Sequence, residues 1–124
     1  MWTLVTKYVF DAAHSLPHHD GKCHKHHGHT YTVKVFIASN EIKDSGPSQG
    51  MVIDFKSLKS ICSEVINKFD HESLNDYIHN PTAENIAVEI FRGIKKALLD
   101  ISRDITLKKI SIMEGEDDEV IYEE

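Results

Sequence analysis

The stretch HGHTYTVKVFIA, residues 27–38, alternates two kinds of side chain along its whole length. Successive side chains of a β-strand point to opposite faces of a sheet, so one face of this stretch carries two histidines followed by aromatic and aliphatic residues. The members of that face are His27, His29, Tyr31, Val33, Val35 and Ile37. The pattern predicts a strand that buries one face and holds both imidazoles together near its beginning.

A second run with strand character precedes it. Residues 2–14 are rich in β-branched and aromatic side chains, and Phe10, Ala12 and His14 share one side of the period-2 pattern. The segment between the two strands, SLPHHDGKCHKH, contains proline and glycine and is predicted to be a loop. Near the C-terminus, ITLKKISIME and EVIYEE predict two final strands joined by an acidic turn, and MVI at 51–53 predicts a short extra strand.

Two helices are predicted between these strands. Asp54 is the expected N-cap of the first, whose apolar stripe recurs at steps of three and four: Phe55, Leu58, Ile61, Cys62, Val65, Ile66 and Phe69. The second follows HNPT, with Pro81 expected in its first turn. Its stripe is Ile86, Ala87, Ile90, Phe91, Ile94, Ala97, Leu98 and Ile101. The order ββααββ over residues 1–124 predicts one α+β domain with helices packed on an antiparallel sheet.

Composition argues against two classes of partner. The chain has 124 residues, a net charge of −6 with neutral histidines, and no long basic run. Nucleic acids and membrane surfaces require clustered Lys and Arg, so neither is the expected partner. The N-terminus lacks the basic and apolar regions of a signal peptide, and no segment reaches the length of a membrane span. A cytoplasmic protein without a disulfide is therefore expected, although it contains two cysteines.

The histidine-rich region predicts a metal site. Side chains at i and i+2 of a strand point to the same face, so His27 and His29 can converge on one ion. If residues 2–14 and 28–38 pair as a hairpin, His14 comes level with them. Three imidazoles with an open position are typical of a catalytic zinc, whereas a structural zinc has four protein ligands. The remaining histidines of this region lie in the loop without a fixed pattern and are interpreted as surface groups: His18, His19, His24 and His26.

Cys23 lies in the same loop, four residues before His27. Lys22, Lys25 and a nearby ion would each favour its thiolate, which could act as a base or nucleophile. Cys23 could equally be a fourth metal ligand or an inert thiol. Cys62, on the apolar stripe of the first helix, is interpreted as a core residue.

Two further features could carry chemistry. Asp70 and His71 follow the first helix, and an Asp that accepts a hydrogen bond from His orients its ring for acid–base work; the alternative is a solvated helix end. Glu114 shares a strand face with Ile110 and Ile112. An unpaired buried carboxylate is costly, so Glu114 either binds a ligand edge rich in N–H donors or lies in water at the rim.

Six motifs occur in the order found in the 6-pyruvoyltetrahydropterin synthase superfamily, and they extend over nearly the whole chain: FDAAHSLP, CHKHHGHTY, GMVIDFKSLK, DHESLN, NPTAENIA and MEG. The three-residue gap between Cys23 and His-Gly-His is most similar to the bacterial 6-carboxytetrahydropterin synthase branch of queuosine and deazapurine synthesis. The animal-type enzymes have a longer gap. That branch often has an apolar residue where this chain has His26.

The resemblance implies a T-fold (tunnelling fold), a four-stranded antiparallel sheet with two helices on one face. It also implies assembly into trimeric barrels that stack as hexamers. The zinc ligands that it implies are His14, His27 and His29. The implied catalytic groups are Cys23 and the pair Asp70 and His71, with the pair supplied by a neighbouring subunit. The implied pterin-binding residues are Glu114, Thr82, Ala83 and Glu84.

The activity implied by the resemblance is the zinc-dependent conversion of 7,8-dihydroneopterin triphosphate to 6-carboxytetrahydropterin, acetaldehyde and triphosphate. Alternatives within the superfamily are formation of 6-pyruvoyltetrahydropterin and cleavage of dihydroneopterin. Outside it, the alternative is a non-catalytic zinc-binding protein closed by Cys23. We also expect Lys22 and Lys25, with His24 or His26, to supply positive charge for the triphosphate, since the protein is acidic overall.

Overall fold

The sheet consists of four antiparallel strands in the spatial order β1-β2-β3-β4. The computed structural model describes residues 1–124. The strands are β1 (Trp2–His14), β2 (His27–Ser39), β3 (Thr106–Glu114) and β4 (Asp118–Tyr122). Both helices, α1 (Phe55–Ile66) and α2 (Ala83–Leu99), lie in the connection between β2 and β3. The predicted ββααββ order and the α+β fold are confirmed.

The core lies between the helices and one face of the sheet. On β2 that face is the predicted one, because Tyr31, Val33, Val35 and Ile37 are each fully buried. Phe10 lies opposite Tyr31 in the β1–β2 register, and their rings stack with centroids 5.1 Å apart. From α2 the core receives mainly Ile86, Ile90 and Ile94, which recur at steps of four. The amphipathic patterns of strand and helix therefore meet in one apolar layer.

Four predicted details of the helices and loops are wrong. Residues 51–53 form no strand. The backbone N–H of Lys43 donates a hydrogen bond to the carbonyl of Met51 within the same loop, and the side chains of Val52 and Ile53 are buried. Phe55 is 65% exposed because it lies in the first turn of α1. Ile101 is also exposed, because α2 ends at Leu99 and the chain leaves the helical period.

The start of α2 is the fourth correction. Thr82 is the N-cap, and its hydroxyl accepts a hydrogen bond from the backbone N–H of Asn85 at 3.2 Å. Pro81 therefore precedes the cap rather than lying in the first turn, which leaves its carbonyl free to bond elsewhere. At the start of α1, Asp54 caps the helix as predicted and accepts from the N–H of Lys56.

Neither helix combines the length and the apolar character that crossing a membrane requires.

Candidate metal centre and substrate site

Three histidines meet at one end of the β1–β2 pair. The register places His14 directly opposite His27, and Ala12 opposite His29, so all three side chains leave the same face, with His29 two residues along from the His14–His27 pair. Their nearest ring nitrogens all lie within 4.8 Å of one another. His14 is 1% exposed, whereas the side chain of His29 is 28% exposed, so the cluster is closed on the β1 side and open toward β2.

The hydrogen bonds of two rings show which nitrogens face the centre. Nδ1–H of His14 donates to the carbonyl of Pro81 at 2.8 Å, and Nδ1–H of His27 donates to the carbonyl of Lys25 at 2.7 Å. A carbonyl can only accept, so each neutral ring presents an Nε2 lone pair. These two Nε2 atoms are 3.1 Å apart. Two lone pairs at that distance repel unless a proton or a cation lies between them.

The donor set fits a metal ion. Two imidazole nitrogens bound tetrahedrally to one zinc would be separated by about 3.3 Å, close to the observed spacing. Backbone carbonyls that accept from the outer ring nitrogen are a common way to orient metal-binding histidines. Burial lowers the pKa of His14, which favours the neutral ring that can ligate a metal. The cluster could therefore hold a metal ion through three nitrogens and leave a further position open.

Glu114 lies beside this cluster rather than out in water. The β2–β3 register pairs it with Tyr31. Its Oε1 is 3.5 Å from Nε2 of His14 and 3.7 Å from Nε2 of His29, and its side chain is 31% exposed. The structure thus places Glu114 next to the histidines with a partly exposed side chain, and its binding of a ligand edge stays a prediction.

Tyr31 is a site residue that sequence reasoning missed. Its hydroxyl donates to Oε1 of Glu114 at 3.3 Å and lies 3.4 Å from Nδ1 of His14. Burial, and secondarily the charge of Glu114, raise the pKa of the Tyr31 phenol, so it stays a protonated donor. The alternating pattern predicts that Tyr31 is a core residue, and Tyr31 is indeed buried. The one available signal is its place two residues after His29 on the histidine face.

Beyond Glu114, a hollow of about 240 Å³ opens between the start of α2 and β4. Its wall includes three of the residues expected to bind substrate, Thr82, Ala83 and Glu84, together with Leu16 and Glu114. The remaining lining residues come from β4: Asp118, Glu119 and Val120. Glu114 is thus common to the hollow and to the histidine cluster.

Cys23 lies outside the histidine cluster. It is in a short 3₁₀ turn, Lys22–His24, and its carbonyl accepts from the N–H of Leu16 at 2.7 Å. The thiol is partly exposed, and the group of potential ligands consists of the three histidines without it. The histidine cluster thus forms without Cys23, and the choice between a catalytic thiolate and a fourth ligand stays a prediction. Cys62 is fully buried in the core, as predicted, and burial raises its pKa.

Asp70 and His71 do contact each other, at the outer edge of β1. Nδ1 of His71 is 3.1 Å from Oδ1 of Asp70, and that carboxylate also accepts from the N–H of Asp11 at 3.0 Å. His71 has a φ of 60° and its N–H donates to the carbonyl of Asp11. The pKa of Asp70 is lowered, first by the Asp11 N–H and then by His71. Their side chains are 39% and 79% exposed, and neither belongs to the three-histidine group.

Four antiparallel strands with two helices on one face, and a three-imidazole cluster at the strand ends, define a T-fold protein with a site suited to a metal ion. The chain belongs to the 6-pyruvoyl tetrahydropterin synthase family, whose family model matches residues 3–124.

Three similar proteins illustrate the range of this family. A Synechocystis sp. protein described as 6-carboxy-5,6,7,8-tetrahydropterin synthase is 42% identical over 100 residues, which cover 78% of each chain. A Pyrococcus furiosus protein described as dihydroneopterin monophosphate aldolase is 36% identical over 112 residues, 90% of this chain and 89% of the other. The solved 6-pyruvoyl tetrahydropterin synthase of Caenorhabditis elegans matches with a TM-score of 0.82 and 28% identity, covering 99% of this chain and 95% of that one.

Proposed function

We propose that the chain is a zinc-dependent 6-carboxytetrahydropterin synthase. It would convert 7,8-dihydroneopterin triphosphate and water to 6-carboxytetrahydropterin, acetaldehyde and triphosphate, a step of queuosine and deazapurine synthesis. The observation that carries this proposal is the position of Glu114, whose carboxylate lies within 3.7 Å of two ring nitrogens of the histidine cluster. A pterin ring anchored by Glu114 would therefore present its side chain to the metal position. The 42% identity to the Synechocystis relative supports the 6-carboxy product.

Glu114 suits the pterin edge chemically. The 2-amino pyrimidine edge of a pterin offers neighbouring N–H donors, and a carboxylate can accept two of them side by side. Thr82, Ala83 and Glu84 line the hollow next to Glu114 and would enclose the ring. Binding the ring there orients the substrate side chain before any bond is broken.

His14, His27 and His29 would hold the zinc ion, which supplies a Lewis acid for the oxygens of the substrate side chain. Zinc suits a reaction that needs no external electrons, because the ion has no redox chemistry of its own. Two bonds of the side chain break: the C–O bond to triphosphate, and the C–C bond that releases two carbons as acetaldehyde. The carbon that stays on the ring becomes the carboxylate, with its additional oxygen taken from water.

Cys23 and the Asp70–His71 pair would move the protons that these steps require. Asp70 orients the His71 ring through the contact between them, while the exposure of that ring leaves it free to meet a substrate. The pair lies at the edge of β1, outside the histidine cluster of the same chain. We therefore propose that it serves the site of a neighbouring copy in a trimer-based assembly, in which the free edges of β1 and β4 meet. Two such trimers would form a hexamer.

A second candidate activity is favoured by the Pyrococcus furiosus relative, whose description is that of an aldolase acting on dihydroneopterin monophosphate. Aldol cleavage would break the same side chain while leaving the phosphate on the departing fragment. Formation of 6-pyruvoyltetrahydropterin, the activity in the description of the Caenorhabditis elegans structure, would release triphosphate without breaking a C–C bond. A non-catalytic zinc-binding protein would use Cys23 as its fourth ligand.

Two parallel incubations separate these candidates. Zinc-loaded protein is mixed with 7,8-dihydroneopterin triphosphate in one sample and with the monophosphate in the other, and the products are resolved by liquid chromatography and mass spectrometry. We expect acetaldehyde and triphosphate in equal amounts together with 6-carboxytetrahydropterin. A two-carbon fragment that retains phosphate indicates the aldolase, a pyruvoyl pterin without acetaldehyde indicates the 6-pyruvoyl enzyme, and no turnover contradicts the proposal. Glu114→Gln, which keeps the shape but removes the charge, is the matched control and should raise KM.

A further inference from the structure

The hydroxyl of Tyr31 occupies a fixed position beneath the histidine cluster. Tyr31 is fully buried, its ring stacks on Phe10 at an interplanar angle of 16°, and it contacts His14 and His29 edge-on. Ring centroids are 6.1 Å from His14 and 5.7 Å from His29. A phenol packed on all sides in this way cannot swing to another partner without disturbing the core.

Only one acceptor is available to this hydroxyl. Nδ1 of His14, 3.4 Å away, carries the hydrogen that it donates to Pro81 and so cannot accept. Oε1 of Glu114, at 3.3 Å, is the remaining partner. Buried hydroxyl groups are almost always hydrogen-bonded, so the Tyr31 O–H and the Glu114 carboxylate are held together.

The carboxylate has a competing position nearby. Oε1 of Glu114 is 3.5 Å from Nε2 of His14, which faces the metal position, and 3.7 Å from Nε2 of His29. Carboxylate oxygens are themselves zinc ligands, so a Glu114 carboxylate this close to two imidazoles of the cluster could compete for the same ion. Glu114 would then be a fourth protein ligand, which closes the site and removes the carboxylate from the hollow.

We propose that Tyr31 is a positioning residue that holds Glu114 off the metal and reserves its carboxylate for the pterin edge. The proposal rests on the proposed function and adds to it the device that keeps one carboxylate from serving two sites. Loss of the Tyr31 hydroxyl would release Glu114 toward the cation, because the competing hydrogen bond is gone and the opposite charge remains.

Cobalt(II) provides a readout that does not depend on turnover. Its visible absorption reports the number and type of ligands, so Co²⁺ is added to the metal-free full-length protein in place of zinc. For Tyr31→Phe we expect a changed Co²⁺ spectrum and a Co²⁺ affinity tighter by about tenfold, the scale on which groups around the ligands affect metal sites. Neopterin, followed by its fluorescence, should bind about tenfold more weakly to the same variant.

Tyr8→Phe is the matched control. Tyr8 lies on the same face of the sheet and is 7% exposed, but its hydroxyl makes no hydrogen bond to a site residue. This variant should reproduce the wild-type spectrum, Co²⁺ affinity and neopterin affinity. A change shared by both variants would indicate general damage to the core and would contradict a specific role for Tyr31.

Glu114→Gln completes the test, because the effect must pass through that carboxylate. In the Glu114→Gln background, Tyr31→Phe should leave the Co²⁺ spectrum unchanged. The proposal is overturned if Tyr31→Phe has the wild-type spectrum, or if its altered spectrum persists beside Glu114→Gln. Failure of the proposed function looks different: wild-type protein would then bind neopterin no better than Glu114→Gln does, whatever the cobalt spectra show.

Discussion

Gly93, in the middle of α2, lies where the two helices are too close to leave room for a side chain. A Cβ added there would lie 2.7 Å from Cγ1 of Val65 and 3.7 Å from its Cγ2. Ordinary carbon contacts are about 3.5–4.0 Å, so Gly93→Ala needs a shift of about 1 Å. Val65 cannot give way easily, because β-branched side chains in helices have one strongly preferred rotamer.

The expected cost follows from two opposing terms. Overpacking of this kind costs about 1–3 kcal/mol, and the higher helix propensity of alanine returns about 1 kcal/mol. Gly93→Ala should therefore lower the free energy of unfolding by up to about 2 kcal/mol, measured by urea denaturation monitored by circular dichroism. Without the clash, the same substitution would stabilise the protein.

The second variant needed is Val65→Ala, which removes both methyl groups that a Cβ at position 93 would meet. In that background Gly93→Ala should become neutral or stabilising, with a coupling energy of about 1–3 kcal/mol. An equal cost of Gly93→Ala in both backgrounds would refute the reasoning, since the loss could not then come from this contact.

Three further predictions concern the surroundings of the site. Asn75→Ala removes both hydrogen bonds to the backbone of Ser15, each 2.9 Å, and should lower stability by about 1–3 kcal/mol in a thermal melt; an unchanged Tm would contradict it. Asp70→Asn should be less stable than wild type at neutral pH. The pKa of Asp70 is lower in the folded protein than in the unfolded chain, so its carboxylate contributes stability at pH values above the unfolded pKa near 3.9. That difference should disappear as the pH falls through the folded pKa, and urea titrations giving the same difference at pH 7 and pH 3 would exclude it. Chelation of the metal should lower Tm. Relative to protein with free metal at a hundred times Kd, the loss is equivalent to about 2.7 kcal/mol of unfolding free energy. The same Tm with and without chelator would contradict a bound ion.

The sheet side of the site was largely predictable from sequence. The period-2 pattern placed His27 and His29 on one face, and the hairpin assumption brought His14 level with His27, as the register shows. Both inferences work because strand geometry leaves few choices once one face is buried. For the same reason the predicted apolar face of β2 is the buried one.

Loops and ligand-facing contacts were less predictable. Cys23 has no periodic neighbours, so no pattern predicts that the three histidines meet without its thiol. The pattern likewise assigns Tyr31 to the core without revealing that its hydroxyl bonds Glu114, because that bond joins residues on different strands. The sequence predicts Pro81 in the first turn of α2, whereas it precedes the cap and holds His14 through its carbonyl. In each case the role of the residue depends on a contact with a residue that is far away in the sequence.

In the proposed function, three imidazoles bind the metal while Cys23 serves the chemistry from outside the metal's ligand set. Zinc content and turnover of Cys23→Ala, measured side by side with His27→Ala, test it most directly. For Cys23→Ala we predict one zinc per chain and no detectable acetaldehyde. For His27→Ala we predict that zinc content and turnover are both lost. A Cys23→Ala protein that loses its zinc would contradict the claim, because the thiol would then be a ligand.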